Sequence, residues 1–252
     1  MHRLFKLLSV FLLITATPLV AQSVSKPALI GAATTQKFPY SMAGQLIFSS
    51  GDLDYQGSGT VVNKLSVLTA AHNIWDADTG WSYDMEFNRA RSGQKIATRV
   101  MASRIFVFGG YQNAARRYGA DSVNAFAYDL GGIHFNTMPA AGAFAGWKSD
   151  LSLLTGGTYN ICVGYGADVH TGDDMLFVEP KLGFYQTYSA FFENDSLTFE
   201  GGMSGGPVFA QIAPNDLRIV GVIVAGSDNP PTGGIRAINA AGARFISTYL
   251  RN

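Results

Sequence analysis

Short apolar runs, each closed by glycine, asparagine, aspartate or proline, dominate the chain. They include "GQLIFSS" (44–50), "GSGTVV" (57–62), "LSVLTA" (65–70), "RIFVF" (104–108) and "AFAYDLGGIHF" (125–135). "TYNICVGYG" (158–166), "GPVFA" (206–210) and "RIVGVIVAG" (218–226) continue the series. All are rich in Val, Ile, Phe and Tyr, the composition of a half-buried or buried strand. Their recurrence predicts antiparallel sheets closed as barrels or stacked as a sandwich. Helical periodicity is convincing only at the C-terminus. There "NAAGARFISTYLRN" (239–252) follows Ile238. It sets Ile238, Ala241, Phe245 and Tyr249 near one face, with Ile246 and Leu250 beside it, and Asn239 suits an N-cap. "MPAAGAFAG" (138–146) is small and without period, and is expected to connect two halves, 38–137 and 138–252.

The first residues have another pattern. His2, Arg3 and Lys6 precede an apolar run free of charges, Leu7 to Val20, and Ala21 offers a small residue for cleavage. This is the design of a secretory signal peptide over residues 1–21, too short for a membrane span. Residues 22–37 are polar and mixed, and are expected to form a loose arm or pro-segment. The product is expected outside the cytoplasm, secreted or periplasmic, and free of the membrane once cleaved.

With 252 residues, 47% of them hydrophobic, the chain can bury a sizeable core. Its 18 basic and 18 acidic residues form no long run, so nothing marks nucleic acid or an anionic membrane as a partner. "NRARSG" and "ARRY" are expected to be solvated loops. Cys162 is the only cysteine, so no internal disulfide can staple the fold. Inside an apolar strand pattern, it is expected to be a small buried hydrophobe. Four scattered histidines show no metal-ligand spacing, "HTGDD" and "SGDLD" do not match a calcium loop, and no cofactor is expected.

In "FEGGMSGGPVF" (199–209), Ser204 sits among Gly201, Gly202, Gly205 and Gly206. An activated serine needs a base, a group that orients the base, and donors for the oxyanion that forms. Glycines let the backbone N–H groups of Gly202 and Ser204 face a substrate. For the base, His2 leaves with the leader, His134 alternates within "GGIHF", and His170 lies in a polar loop. His72 closes the apolar "LSVLTAAHN" behind two alanines and is the best candidate. Asp129, the one acid inside "AFAYDLGGIHF", is the best orienting carboxylate, because burying an acid is costly unless it is paired. "GMSGG" also fits a nucleophile elbow, but that fold needs a histidine after the serine, and none follows Ser204. An order of acid, histidine, serine would have to use Asp52 or Asp54, both in a polar loop. The order left is His72, Asp129, Ser204.

"SGTVVNKLSVLTAAHN", "YDLGGI", "GGMSGGPVF" and "RIVGVIVAG" together resemble the histidine, aspartate, serine and cleft-strand regions of the chymotrypsin-like (trypsin-like) serine peptidases. Lacking disulfides, the chain looks nearest to the bacterial branch that includes the glutamyl endopeptidases. The resemblance implies an all-β fold, two packed six-stranded antiparallel barrels with a C-terminal α-helix. It implies a monomeric serine endopeptidase that cleaves protein or peptide through His72, Asp129 and Ser204. By the same match, Thr198 and Gly201 would form one wall of the specificity pocket, and Val224, Ala225 and Gly226 the other. Ile223 stands where the glutamyl enzymes carry a histidine, and Thr198 where trypsin-type enzymes carry an acid. Glu200 and Asp228 are expected to point to solvent, so an uncharged side chain is expected before the scissile bond. Met203 replaces the aspartate that pairs with a freed N-terminal amine in the animal enzymes. Two other functions remain open at this point: a protease fold kept as an inactive binding module, and an esterase on the same three residues.

Overall fold

The computed structural model describes residues 23–140 and 143–251; the leader, 1–21, lies outside them. Sixteen strands follow in chain order. β1 (Ala28–Leu29), β2 (Ala43–Ser50), β3 (Leu53–Asn63) and β4 (Ser66–Thr69) come first. β5 (Trp75–Asp76) and β6 (Gly80–Trp81) are a small hairpin, followed by β7 (Tyr83–Arg89), β8 (Thr98–Val107) and β9 (Gly131–Phe135). The second half carries β10 (Asn160–Gly164), β11 (Leu176–Val178), β12 (Tyr185–Tyr188) and β13 (Phe191–Asn194). β14 (Pro207–Ala213), β15 (Asp216–Asp228) and β16 (Pro231–Ala237) complete it.

The first half is a closed six-stranded antiparallel barrel in the order β2-β3-β4-β9-β8-β7. Closure leaves no free edge to aggregate. Leu46, Val61, Val67, Phe87 and Ile133 fill its interior. The second half is an antiparallel sheet in the order β1-β11-β10-β14-β15-β16-β13-β12. Its hydrogen-bonded ladder runs as a sheet of eight strands rather than as a second closed ring of six, with β1 and β12 at its two ends. The segment expected to be a loose arm is therefore tied down. Ala28 and Leu29 pair with Phe177 and Leu176, and the Ser25 N–H donates to the Ser196 carbonyl (2.7 Å). A further apolar cluster joins the halves: Met42, Leu68, Ala70 and Leu130 meet Tyr165, Phe191 and Val222.

The C-terminal helix is α5 (Ala240–Tyr249); the four helices before it are α1 (Ala32–Thr35), α2 (Tyr111–Tyr118), α3 (Val123–Phe126) and α4 (Ser152–Thr155). Asn239 caps α5 by accepting the Gly242 N–H (3.0 Å). Its buried face is turned from the expected one. Gly242, Phe245, Ile246 and Leu250 face inward, while Ala241 and Tyr249 are exposed. The helix crosses back onto the first barrel, where Leu250 packs against Gly132. That contact sets the face.

Two further expectations change. "ARRY" belongs to α2 and is no loop; Tyr111, Ala114 and Ala115 pack beneath Trp75, and Arg116 lies 4.9 Å over the Trp75 ring. "AFAYDLGGIHF" is a strand only from Gly131. Ser122 caps α3 through the Ala125 N–H (3.2 Å), so Ala125 and Phe126 are helical and Asp129 sits in the turn that follows.

Candidate active site

Strand pairing brings His72 and Asp129 together. β4 and β9 are antiparallel, with Thr69 opposite Gly131. His72 lies three residues past Thr69, and Asp129 two residues before Gly131, so both emerge at the same end of the barrel. Ala70 and Ala71 are fully buried, which lets the chain turn tightly (Ala71–Asn73) with the imidazole at its outer side. Gly131 belongs to this junction. A Cβ there would stand 2.8 Å from the Ala70 carbonyl oxygen and 2.7 Å from Ile74, so the paired glycines allow close packing rather than looseness.

The Asp129 side chain is 1% exposed, that of His72 30%. Both carboxylate oxygens are taken by one residue: Oδ1 accepts the His72 backbone N–H (3.0 Å), and Oδ2 meets His72 Nδ1 at 2.6 Å. This offsets the cost of burying the acid. With the proton on Nδ1, Nε2 is left as the acceptor. Burial favours the neutral imidazole. The Asp129 charge and hydrogen bond, with the Asp121 charge, outweigh it, so the His72 pKa lies above its ordinary 6.5.

Ser204 stands three residues before β14, whose Pro207 pairs with Val222 of β15. This sets the serine beside Val224 to Gly226. The Ser204 carbonyl accepts the Ser58 N–H (2.8 Å) and the Asn73 side-chain amide (2.9 Å). Ser58 Oγ donates to the Gly202 carbonyl (2.8 Å) and accepts the Tyr165 N–H (2.9 Å). The first barrel thus grips the serine loop of the second half directly. Gly202 has φ +90°, and a Cβ there would stand 2.5 Å from the Tyr165 carbonyl oxygen, so only glycine fits. Neither the Gly202 nor the Ser204 N–H finds an acceptor among the described residues.

His72, Gly201, Gly202, Ser204 and Val224 to Gly226 line one cleft of about 980 Å³. Thr198 is buried, gives its N–H to the Ser25 carbonyl (3.1 Å), and does not line the cleft. Phe199 takes a place in the wall instead. Asp228 is exposed as expected, but Glu200 is not: its side chain is 9% exposed and meets His170 Nδ1 at 2.7 Å. Asp76, Asp78, Asp121, Asp168, Glu193, Glu200 and Asp228 all line the cleft, and among the described residues no Lys or Arg does. Cys162 is fully buried, and burial pushes its thiol pKa up, as suits an inert core residue. His134 is a core residue too, bonded to Ser66 Oγ (3.0 Å).

Sequence reasoning missed Ser58, Asn73 and Arg236. Asn73 could have been suspected from its place next to His72. Arg236 is 1% exposed, lies 4.8 Å over the Phe108 ring, and has its pKa pushed down to about 10 by burial, while the nearby Asp129 charge opposes the fall.

No protein-family model matches the chain, and no curated protein sequence does. Solved structures do. The chain is similar to a Glu endopeptidase determined in complex with MPD, at TM-score 0.70 and 20% identity over 88% of this chain and 94% of that one. It is similar to the protease Anisep from Arthrobacter nicotinovorans, at TM-score 0.62 and 18% identity over 82% and 98% of the two chains. A thermostable serine protease from an extremophilic microorganism gives TM-score 0.64 and 16% identity over 85% and 96%. The chain has the chymotrypsin fold. Its structural neighbours are a glutamyl endopeptidase and other serine proteases, the side of that fold to which a disulfide-free chain was expected to lie.

Proposed function

We propose that this protein is a serine endopeptidase that works through His72, Asp129 and Ser204. The observation that carries the proposal is the buried Asp129 gripping the backbone and ring of His72 at 3.0 and 2.6 Å, on a cleft that also holds Ser204. His72 Nε2 takes the Ser204 proton as Oγ attacks the substrate carbonyl, and the Gly202 and Ser204 N–H groups receive the developing oxyanion. His72 then protonates the leaving amine, an acyl-enzyme remains on Ser204, and water activated by the same imidazole hydrolyses it. Asp129 holds the imidazole tautomer and stabilises its charged form.

An extended peptide lies along Val224 to Gly226. β14 pairs with β15 as far as Val222, and Gly205 and Gly206 take the backbone groups of Ile223, so past Ile223 one edge of β15 borders the cleft and can pair with a substrate backbone. This favours a peptidase over a simple esterase. Phe199, Val224 and Ala225 make an apolar wall that suits an uncharged side chain before the scissile bond. Residues 1–21 direct export, to the periplasm or beyond, and the mature chain acts as a monomer in two units meeting near 137–138. Among the described residues, no helix is long and apolar enough to cross a membrane.

A fluorophosphonate tests the proposal. One adduct on Ser204 and none with Ser204→Ala is expected, with a loss of about 10⁴-fold or more in peptide turnover by the variant. A folded wild-type protein that takes no label would remove Ser204 from the mechanism and leave a binding module. Turnover of esters without cleavage of any peptide would leave an esterase.

A further inference from the structure

The Gly202 N–H is useful to an oxyanion only if its peptide plane points the right way. That plane also contains the Gly201 carbonyl, which in a trans peptide points opposite to the Gly202 N–H. The Ala167 N–H donates to this carbonyl at 2.8 Å. Whatever holds Ala167 therefore aims the Gly202 N–H. Residues 166–170 form no helix or strand that could hold it.

Side chains hold it instead. Glu200 Oε2 accepts the Val169 and His170 backbone N–H groups (3.2 and 3.3 Å), and Oε1 meets His170 Nδ1 at 2.7 Å. In the other direction, the Asp168 carboxylate accepts the Gly201 N–H. Two acids and one imidazole thus stitch 167–170 to Glu200 and Gly201 from both sides, at the start of the serine loop. The Met203 side chain is fully buried and carries no charge, so it cannot order this loop by an ion pair of its own.

The geometry points to His170, Glu200 and Asp168 as positioning residues that lock the Gly202 oxyanion donor. The inference rests on the reading of Ser204 as nucleophile. An oxyanion donor acts on the transition state and not on bound substrate, so loosening it lowers kcat and leaves KM in place.

The test compares wild type, His170→Ala and His170→Asn by the rate of fluorophosphonate labelling of Ser204 and by kcat and KM on one peptide. The asparagine amide offers a donor near the place of Nδ1. Losing an oxyanion donor outright costs on the order of 100-fold, so His170→Ala is expected to slow labelling and kcat by roughly 10- to 100-fold with KM within about twofold. His170→Asn is expected to recover most of that. If His170→Ala does not fold, Asp168→Ala, on the exposed side of the clamp, gives the same comparison. A folded variant labelled as fast as wild type overturns the inference alone. Wild type that takes no label overturns the reading of Ser204, and this inference with it.

Discussion

At His72, two opposed effects decide the protonation state. Burial disfavours the imidazolium, and the Asp129 charge and hydrogen bond favour it more strongly, with help from Asp121. A folded pKa above 6.5 has two signs to follow. The base form prevails only above the raised value, so kcat/KM is expected to fall toward acid with a midpoint above 6.5. The same shift contributes stability that is fully present below the unfolded value and is lost as pH rises through the folded one. Asp129→Asn is expected to move the acid limb of the pH–rate profile downward and to cost about 10⁴-fold in kcat, because the ring loses its tautomer. A limb that stays in place would detach Asp129 from the base. Gly202→Ala is expected to lose on the order of 100-fold in kcat, since its Cβ must push on the Tyr165 carbonyl and turn the donor. Wild-type steady-state kinetics from that variant would exclude Gly202 as a donor. Chain order and local composition singled out His72, Asp129, Ser204 and Gly202 before any contact was known. Ser58 and Ala167 were not legible, because each acts through hydrogen bonds to residues far along the chain. No local pattern records such a pairing.

The elements were legible where hydrophobic period decides them and illegible where packing or capping does. Eight of the sixteen described strands, β2, β3, β4, β8, β9, β10, β14 and β15, overlap the apolar runs of the sequence; β1, β5, β6, β7, β11, β12, β13 and β16 fall outside them. Helix α2 was hidden because its apolar face is small, alanine and tyrosine between glycines at both ends. The start of "AFAYDLGGIHF" looked like a strand because its period does not show the Ser122 cap. The buried face of α5 turned because the helix leans on Gly132, a contact between the C-terminus and the middle of the chain. This contact can be tested. A Cβ at 132 would enter the space of the Leu250 side chain, and overpacking of that kind costs about 1–3 kcal/mol. Gly132→Ala is expected to lower stability to chemical denaturation by that amount. Leu250→Ala alone is expected to cost about 2–5 kcal/mol through the cavity it leaves. The double variant should cost less than the sum of the two, because the alanine methyl partly refills the cavity. Strict additivity would show that the two sites do not touch.

Charge is the property that only the whole molecule reveals. The sequence is balanced, 18 basic against 18 acidic residues, and its neutrality gave no hint of a preferred substrate. Folding separates the signs. Among the described residues, seven acids and no Lys or Arg line the cleft, and five of the acids belong to neither His170 nor the Gly201 loop: Asp76, Asp78, Asp121, Glu193 and Asp228. Asp76, Asp78 and Asp121 come from the first half, and Glu193 and Asp228 from the second. A bound peptide is therefore flanked by negative charge on both sides, inside walls that focus the field. On the proposed function, the apolar wall reads the residue at the scissile bond, while the acids favour Lys or Arg in the flanking positions. Peptides with one uncharged residue before the cleaved bond and basic flanks are expected to exceed their acidic-flanked counterparts in kcat/KM by about tenfold or more at low salt. Screening shortens the range of such fields to about 3 Å at 1 M salt, so the ratio should shrink steeply as salt rises. Asp78→Asn with Asp228→Asn, two exposed acids of the cleft, should shrink it at low salt, with Ser204 still labelled at the wild-type rate. A preference for basic flanks that ignores salt would point to specific contacts instead of the field. Equal rates for both peptides would mean that solvent screens the cleft acids before a substrate meets them.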